Sequence, residues 1–230
     1  MEVQIFQLLD GARQAEGLTV IIDVFRAFTV ACYLTENGAE KLIPVADLEL
    51  AYSLKKQHAD YLLVGERNER IAPGFDYGNC PTHIKNIDFT GKTVIHTTSS
   101  GTQGISNAIH AQQIITGSFV NANAIIRYIR QQNPEKVSLV CMGFATRYPI
   151  EEDTFCAEYI KCHLENSAFD FAHSVEVIKK TSAARFYDPA NAEWSPSSDV
   201  DLCLELDRFN FVLKTEKSDD GLFFLNKIPV

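Results

Sequence analysis

Short apolar runs alternate with helix-like segments along the first two thirds of the chain. The runs are rich in β-branched residues and are bounded by polar or glycine-containing segments, as buried strands are. They predict strands at residues 19–23, 41–45, 61–64, 93–97, 113–116 and 137–141. The segments between them predict helices at residues 27–34, 48–57, 103–110 and 121–132, followed by one from Asp153 to about Leu164.

This alternation predicts an α/β fold, a layered α/β/α arrangement with parallel or mixed sheets. Residues 19–22 resemble residues 93–96, which favours an internal duplication of a strand–helix unit, although any α/β chain alternates in this way. We expect a single compact unit with two similar lobes, at about residues 1–90 and 91–170. Residues 171–230 would close the fold with a loop, a short helix and a hairpin.

The composition is that of a globular protein, with 230 residues of which 46% are hydrophobic. No apolar run reaches the roughly 18 to 20 residues of a membrane span. The first residues include the acid Glu2 and no basic region, so a secretory signal is not expected. Six cysteines without a CxxC pair are interpreted as reduced thiols. These features predict a cytoplasmic protein with no membrane partner.

The charge of the chain argues against nucleic acid as a partner. The formal net charge is −9, and lysine and arginine form no cluster. Proteins that bind nucleic acid through its phosphates usually present a basic face. A small molecule is therefore the expected ligand, and we expect the chain to work as a homodimer.

The first strand-to-helix turn carries a carboxylate and a guanidinium, Asp23 and Arg26. In sheets of this kind, ligands bind beyond the carboxyl ends of the strands, so residues that follow a strand are the most informative. Asp23 is suited to ligate a metal ion, and Arg26 to bind an oxyanion through two hydrogen bonds. A helix-capping aspartate with a local ion pair explains the same two residues.

A long polar stretch with little periodicity follows the third predicted strand. Glu66 and Asp76 are further oxygen ligands for a hard cation, and Arg67 and Arg70 are further anion contacts. Asn79 either contacts the ligand or supplies turn geometry. Long ordered loops are often functional, but each charged residue taken alone also fits a solvated loop.

Residues 97–102 form a hydroxyl-rich loop between a strand and a helix N-terminus. Backbone N–H groups at such a site attract anions, which predicts a phosphate-binding loop. The lysine of a P-loop is missing, so nucleotide hydrolysis of that type is not expected. A serine and threonine capping cluster is the alternative. The candidate phosphate contacts are Thr97, Thr98, Ser99, Ser100, Gly101 and Thr102.

Acidic residues also open the helix near residue 153. Glu152 and Asp153 would be stabilised there by the helix dipole, or would complete a Mg²⁺ site. Just before them, Cys141 and Arg147 have the Cys-x5-Arg spacing of thiolate phosphatases. The acids that follow would raise the pKa of the thiol and repel phosphate, which disfavours a Cys141 nucleophile.

Several of these segments, taken in order, resemble one family. They are DVFRA at 23–27, GER at 65–67, GFDYGNCP at 74–81, TTSSGT at 97–102, GSFVNA at 117–122 and ED at 152–153. The series resembles the 2-phosphosulfolactate phosphatase (ComB) family, with its DVLRAT-like turn, its GER and GFDxGNSP segments, its TTxNGT loop and its GSxVNA segment. This chain differs at Ser100, where the family usually has Asn, at Cys80, where it has Ser, and at Phe25 and Phe28.

The resemblance implies a ComB-like fold and Mg²⁺-dependent hydrolysis of 2-phospho-3-sulfolactate to sulfolactate and phosphate, a step of coenzyme M biosynthesis. A related phosphorylated hydroxy acid is the alternative substrate. Two further alternatives are a Cys141 thiolate phosphatase and a non-catalytic binder of a phosphorylated metabolite.

On this reading, the site residues fall into three groups. The metal ligands are drawn from Asp23, Glu66, Asp76, Glu152 and Asp153. The catalytic residues are Asp23, Arg26, Glu66 and Asp76. Substrate and phosphate contacts come from Arg67, Asn79, the 97–102 loop and Arg147.

Overall fold

The computed structural model describes residues 1–230 and contains ten strands and nine α-helices. The strands are β1 (Glu2–Gln7), β2 (Gly17–Ile22), β3 (Lys41–Pro44), β4 (Leu62–Arg67), β5 (Arg70–Ile71), β6 (Thr93–Thr97), β7 (Ala111–Gly117), β8 (Lys136–Cys141), β9 (Phe211–Lys217) and β10 (Phe223–Pro229). The helices are α1 (Leu8–Gln14), α2 (Ala27–Glu36), α3 (Leu48–Gln57), α4 (Pro81–Ile84), α5 (Gly101–Asn107), α6 (Ala122–Gln132), α7 (Glu151–Leu164), α8 (Phe171–Lys180) and α9 (Ser198–Cys203).

The strands form two mixed sheets. The larger sheet has the order β1-β8-β2-β7-β9-β10, and the smaller has the order β3-β6-β4-β5. The first four strands of the larger sheet run parallel, and the hairpin β9–β10 adds to β7 in the antiparallel sense. The predicted α/β fold with mixed sheets is confirmed, and so is the closing hairpin.

Most predicted elements are present with shifts of one or two residues at their ends. The helix predicted at residues 48–57 and the strand predicted at 93–97 have the predicted bounds. Asp47 caps α3 as expected, by accepting a hydrogen bond from the Glu49 N–H at 3.0 Å. Five elements were not predicted, namely β1, α1, β5, α4 and α8.

The two sheets do not follow the two predicted lobes. Strand β2 lies between β7 and β8, whereas β6 lies between β3 and β4. The leading strand of each predicted repeat is thus inserted between the second and third strands of the other. Internal duplication is not confirmed by this arrangement and stays a prediction, as do the lobe boundaries.

Strand β2 is buried on both faces, which explains its continuous apolar sequence. Val20 and Ile22 face a core formed with α6, α7 and α8. Ile21 faces a second core, which contains most of α2 together with residues of β3, β4 and β6. Helix α2 therefore packs between the two sheets, and the carboxyl ends of β2, β4, β6 and β8 come together at one edge.

No helix combines the length and the apolar character that a membrane span requires.

Gly65 in β4 is required by the close approach of β6. Its φ is +155°, and a Cβ at this position would lie 2.0 Å from the carbonyl oxygen of Thr97. We expect Gly65→Ala to lower the free energy of unfolding by at least about 2 kcal/mol in chemical denaturation, because the two strands must separate.

Gly78→Ala is the matched control, since a Cβ there would meet only Ile71 at 3.7 Å. This change should alter stability by less than about 1 kcal/mol. Equal effects of the two substitutions would contradict the packing account.

Candidate active site

A cavity of about 210 Å³ lies at the edge where the strands of both sheets end. Its wall is mostly polar and contains both carboxylate and guanidinium side chains. Six of the residues predicted from the sequence line it, namely Asp23, Arg26, Glu66, Asn79, Ser99 and Ser100. Asn68, Glu69 and Arg185 also line it and were not predicted, as do Phe25 and Phe144.

Asp23 directly follows β2 and is almost completely buried. Its Oδ1 accepts a hydrogen bond from the Ala27 N–H at 3.0 Å, so the residue also caps α2. A Cβ on Gly101 would lie 3.0 Å from Asp23 Oδ2 and 2.8 Å from the Ala27 Cβ, so only glycine fits where α5 begins. Burial, together with the nearby charge of Glu66, raises the pKa of Asp23 to about 6. Asp23 therefore both caps α2 and lines the cavity.

Glu66 is the last residue but one of β4, and its carboxylate accepts hydrogen bonds from two neighbouring loops. Its Oε1 accepts from the Ser99 N–H at 2.6 Å, and its Oε2 accepts from the Ser99 hydroxyl at 3.0 Å and the Glu69 N–H at 2.9 Å. A carboxylate can accept about four hydrogen bonds, so capacity remains on the cavity side.

Arg26 is held from behind by the C-terminal part of the chain. Its Nη1 donates to Asp199 Oδ2 at 2.7 Å and to the Trp194 carbonyl at 2.6 Å. Asp199 is fully buried and also accepts from the Thr82 N–H at 3.0 Å. A buried charge pair of this kind needs such additional hydrogen bonds to be stable. Asp199 therefore positions Arg26 and links α9 to the cavity.

The predicted phosphate loop divides into two parts. Thr98 and Thr102 bond to each other, with each hydroxyl accepting from the N–H of the other residue at 3.3 and 3.1 Å. Thr97 is buried and accepts from Arg67. Ser99 and Ser100 instead line the cavity. The capping interpretation fits the threonines, and the ligand-binding one fits the serines.

Asn79 is oriented by a buried histidine. Its Oδ1 lies 3.2 Å from His96 Nε2, and burial lowers the pKa of His96 to about 3, so the ring is neutral. With the Nε2 proton donated to Asn79, the amide NH₂ of Asn79 has no acceptor within the protein and is available to the cavity.

Arg67, Asp76 and Arg147 also lie outside the cavity wall. Arg67 donates to Thr97 Oγ1 at 2.7 Å and to the carbonyls of Glu66 and Ala46. Asp76 accepts from the Leu63 N–H at 2.8 Å and pairs with Lys55 at 3.7 Å. Arg147 is exposed. Their roles as ligands or substrate contacts stay predictions, but this geometry does not bring them to the cavity.

Glu152 and Asp153 are buried behind the wall. Asp153 accepts from the Val24 N–H at 2.8 Å and from the Gly143 N–H at 2.9 Å, so it joins the ends of β2 and β8. Neither carboxylate oxygen of Glu152 has a hydrogen-bond partner. Burial raises the pKa of Glu152 to about 7, and burial and the charge of Asp23 hold the pKa of Asp153 well above its ordinary value.

Glu69 and Arg185 form an ion pair across the cavity mouth. Arg185 lies in the short 3₁₀ segment Ser182–Tyr187, and its Nε donates to Glu69 Oε1 at 2.7 Å. Its charge lowers the pKa of both Asp23 and Glu152, although burial outweighs this effect. The contact joins residues more than a hundred positions apart, so no local sequence pattern could have indicated it.

The donors in the wall fit a hard divalent cation. Asp23 and Glu66 present carboxylates, and Mg²⁺ commonly takes one or two carboxylates while keeping several waters. No set of three or more histidine, cysteine, aspartate or glutamate side chains is arranged as a complete metal cage. A cation here would therefore need water or substrate oxygens to complete its coordination.

Cys141 is poorly placed for nucleophilic attack. It is fully buried, its thiol donates to the Asp153 carbonyl at 3.4 Å, and it does not line the cavity. Burial and the charge of Asp153 hold the pKa of the thiol well above its ordinary value. The structure thus disfavours the thiolate alternative.

The raised pKa of Glu152 predicts a pH-dependent stability. Between about pH 4.5 and 7, the folded chain keeps a proton that the unfolded chain has lost. The free energy of unfolding therefore falls as pH rises through this range, by about 1.4 kcal/mol per unit for one such group. In denaturation experiments with EDTA, we expect Glu152→Gln to reduce this decline and to be more stable than wild type at pH 8, by up to about 3 kcal/mol.

Glu151→Gln, one residue earlier in the same helix turn, is the control and should leave the decline unchanged. Identical pH profiles for wild type and Glu152→Gln would show that Glu152 does not hold this proton.

Comparison with known proteins shows the family of this chain. A family model described as 2-phosphosulpholactate phosphatase matches residues 4–218. A protein of Thermotoga petrophila named probable 2-phosphosulfolactate phosphatase is 32% identical over 222 residues, which covers 91% of this chain and 92% of the relative. A Bacillus subtilis protein of the same name is 28% identical over 223 residues and 96% of both chains. The chain belongs to the 2-phosphosulfolactate phosphatase family, whose members are phosphoric monoester hydrolases.

Proposed function

We propose that this chain is a Mg²⁺-dependent phosphatase that hydrolyses 2-phospho-3-sulfolactate, or a closely related phosphorylated hydroxy acid. The products are the free hydroxy acid and inorganic phosphate. The observation that carries the metal requirement is the charge of the cavity wall. The wall holds three carboxylates, on Asp23, Glu66 and Glu69, and only two guanidinium groups, on Arg26 and Arg185.

This charge balance disfavours a bare phosphate ester. Arg26 is already paired with Asp199, and Arg185 is paired with Glu69. A phosphosulfolactate carrying about four negative charges would be repelled by the remaining carboxylates at close range. A divalent cation held by Asp23 and Glu66 would offset the charge of both carboxylates. A site with this charge would admit an anionic substrate only together with a metal.

The residues of the chain have separate tasks in the proposed reaction. Asp23 and Glu66 would hold Mg²⁺, which when bound offsets charge on the phosphoryl oxygens and favours ionisation of a water molecule. The amide of Asn79 and the hydroxyl of Ser100 donate to the phosphoryl group. Ser100 accepts from the Thr146 N–H at 3.2 Å, which leaves its own proton free for this role. A new bond forms between the water oxygen and phosphorus as the ester P–O bond breaks.

The fixed geometry of these donors favours catalysis over simple binding. Each is anchored by a second group, as Asn79 is by His96 and Ser100 is by the Thr146 N–H. Preorganised donors of this kind stabilise charge that develops in the transition state, without reorganisation during the reaction. We further propose that the enzyme acts in the cytosol as a homodimer, and that its product enters coenzyme M biosynthesis.

The metal requirement gives a direct test. Hydrolysis of 2-phospho-3-sulfolactate should be lost in excess EDTA and restored by Mg²⁺. Asp23→Asn should lower kcat/KM by at least about a hundredfold, because a neutral amide binds the cation less well. Asp10→Asn, which removes an exposed acid on α1, is the control and should leave the rate unchanged.

Full activity in EDTA, or a folded Asp23→Asn protein with the wild-type rate, would contradict the proposal. Asp76→Asn tests the remaining sequence prediction. A loss as large as that of Asp23→Asn would place Asp76 at the metal despite its contacts with Leu63 and Lys55.

A further inference from the structure

Recognition of an acidic substrate needs a positively charged side chain with unused hydrogen-bond donors. Arg67 and Arg147 do not line the cavity. Arg26 does, but its Nη1 is occupied by Asp199 and Trp194, and its Nη2 lies 3.4 Å from the Glu69 carbonyl. Arg185 is the other guanidinium in the wall.

The contacts of Arg185 leave one edge of its guanidinium free. Nε donates to Glu69 at 2.7 Å, and Nη1 donates to the Ser182 carbonyl at 2.5 Å. Nη2 has no acceptor within the protein. A guanidinium carries five N–H donors, so both protons of Nη2 and one of Nη1 remain. This pair of adjacent nitrogens matches the two oxygens of a carboxylate or sulfonate.

Aromatic rings hold this guanidinium in place. Its central carbon lies 4.7 Å from the centroid of Phe186, 5.2 Å from that of Phe144 and 5.9 Å from that of Phe25. Such contacts stabilise the cation and exclude water from its faces. The Arg185 side chain is only 21% exposed, so a charge bound there is partly shielded from solvent. An anion held at this point gains more than it would at an exposed arginine.

We propose that Arg185 binds the acidic group on the carbon skeleton of the substrate, the carboxylate or sulfonate that is not transferred. This inference rests on the proposed function and adds a specificity-determining residue to it. The phosphoryl group lies against Asp23, Glu66, Ser100 and Asn79, and the second acid lies at Arg185 beside the aromatic rings. Arg185 is thus the specificity residue, and Glu69 fixes its orientation.

The test compares three substrates in Mg²⁺: 2-phospho-3-sulfolactate, 2-phospholactate and p-nitrophenyl phosphate. Arg185→Gln should lower kcat/KM at least about thirtyfold for 2-phospho-3-sulfolactate, since a lost charged partner in a shielded site has effects of this size. The loss with p-nitrophenyl phosphate, which has no second acid, should stay below about threefold. A loss shared by 2-phospholactate would identify the carboxylate as the group bound, and one confined to phosphosulfolactate would identify the sulfonate.

Two further variants make the result decisive. Arg13→Gln removes an exposed arginine from α1, outside the cavity wall, and should change none of the three rates. Arg185→Lys keeps the charge beside Glu69 but loses the paired donors, so it should show a smaller loss with the same substrate order. It also serves if Arg185→Gln fails to fold.

Equal losses on all three substrates, or no loss on any, would overturn the inference. Both outcomes differ from failure of the proposed function, in which the wild-type enzyme itself would hydrolyse none of the three esters in Mg²⁺.

Discussion

The burial of four neighbouring carboxylates is the constraint on which the site depends. Asp23, Glu66, Glu152 and Asp153 all lie near the point where strands of two sheets end. Backbone N–H groups compensate for much of the charge on Asp23, Glu66 and Asp153. Glu152 has no such partner. Burial of an uncompensated charge is costly, so the site is stable with a bound proton or with a cation nearby. The acidic cluster thus connects the stability of the fold with its proposed need for a metal.

The C-terminal third of the chain completes this site rather than only closing the fold. Asp199 anchors Arg26 from within α9, and Arg185 reaches the cavity from the preceding segment. The strand ends supply the acids, and the C-terminal region supplies one guanidinium and fixes the other. A phosphoryl group and a second acid on the same small molecule would therefore meet different parts of the chain.

Local sequence patterns predicted the elements and the residues at their ends but not the contacts between distant segments. Asp23, Glu66 and Ser99 could be found because each lies at the end of a strand or within two residues beyond it, and ligands bind beyond such ends in α/β sheets. Asp199 and Arg185 could not, because only tertiary packing brings Arg185 to the cavity and Asp199 to Arg26. The exchange of β2 and β6 between the sheets was missed for the same reason, since strand pairing depends on non-local contacts. Asp76 lies in the same polar stretch as Glu66. Its side chain accepts from the Leu63 N–H and pairs with Lys55, and it does not line the cavity.

The central claim is that a cation and a phosphate share the cavity between Asp23 and Glu66. Anomalous diffraction from crystals grown with Mn²⁺ and inorganic phosphate, under conditions in which Mn²⁺ supports hydrolysis, tests it directly. The account predicts one strong Mn²⁺ peak bonded to carboxylate oxygens of Asp23 and Glu66, with phosphate between the metal and the side chains of Ser100 and Asn79. A cavity without metal in such crystals, or a peak at Asp76 instead, would contradict it.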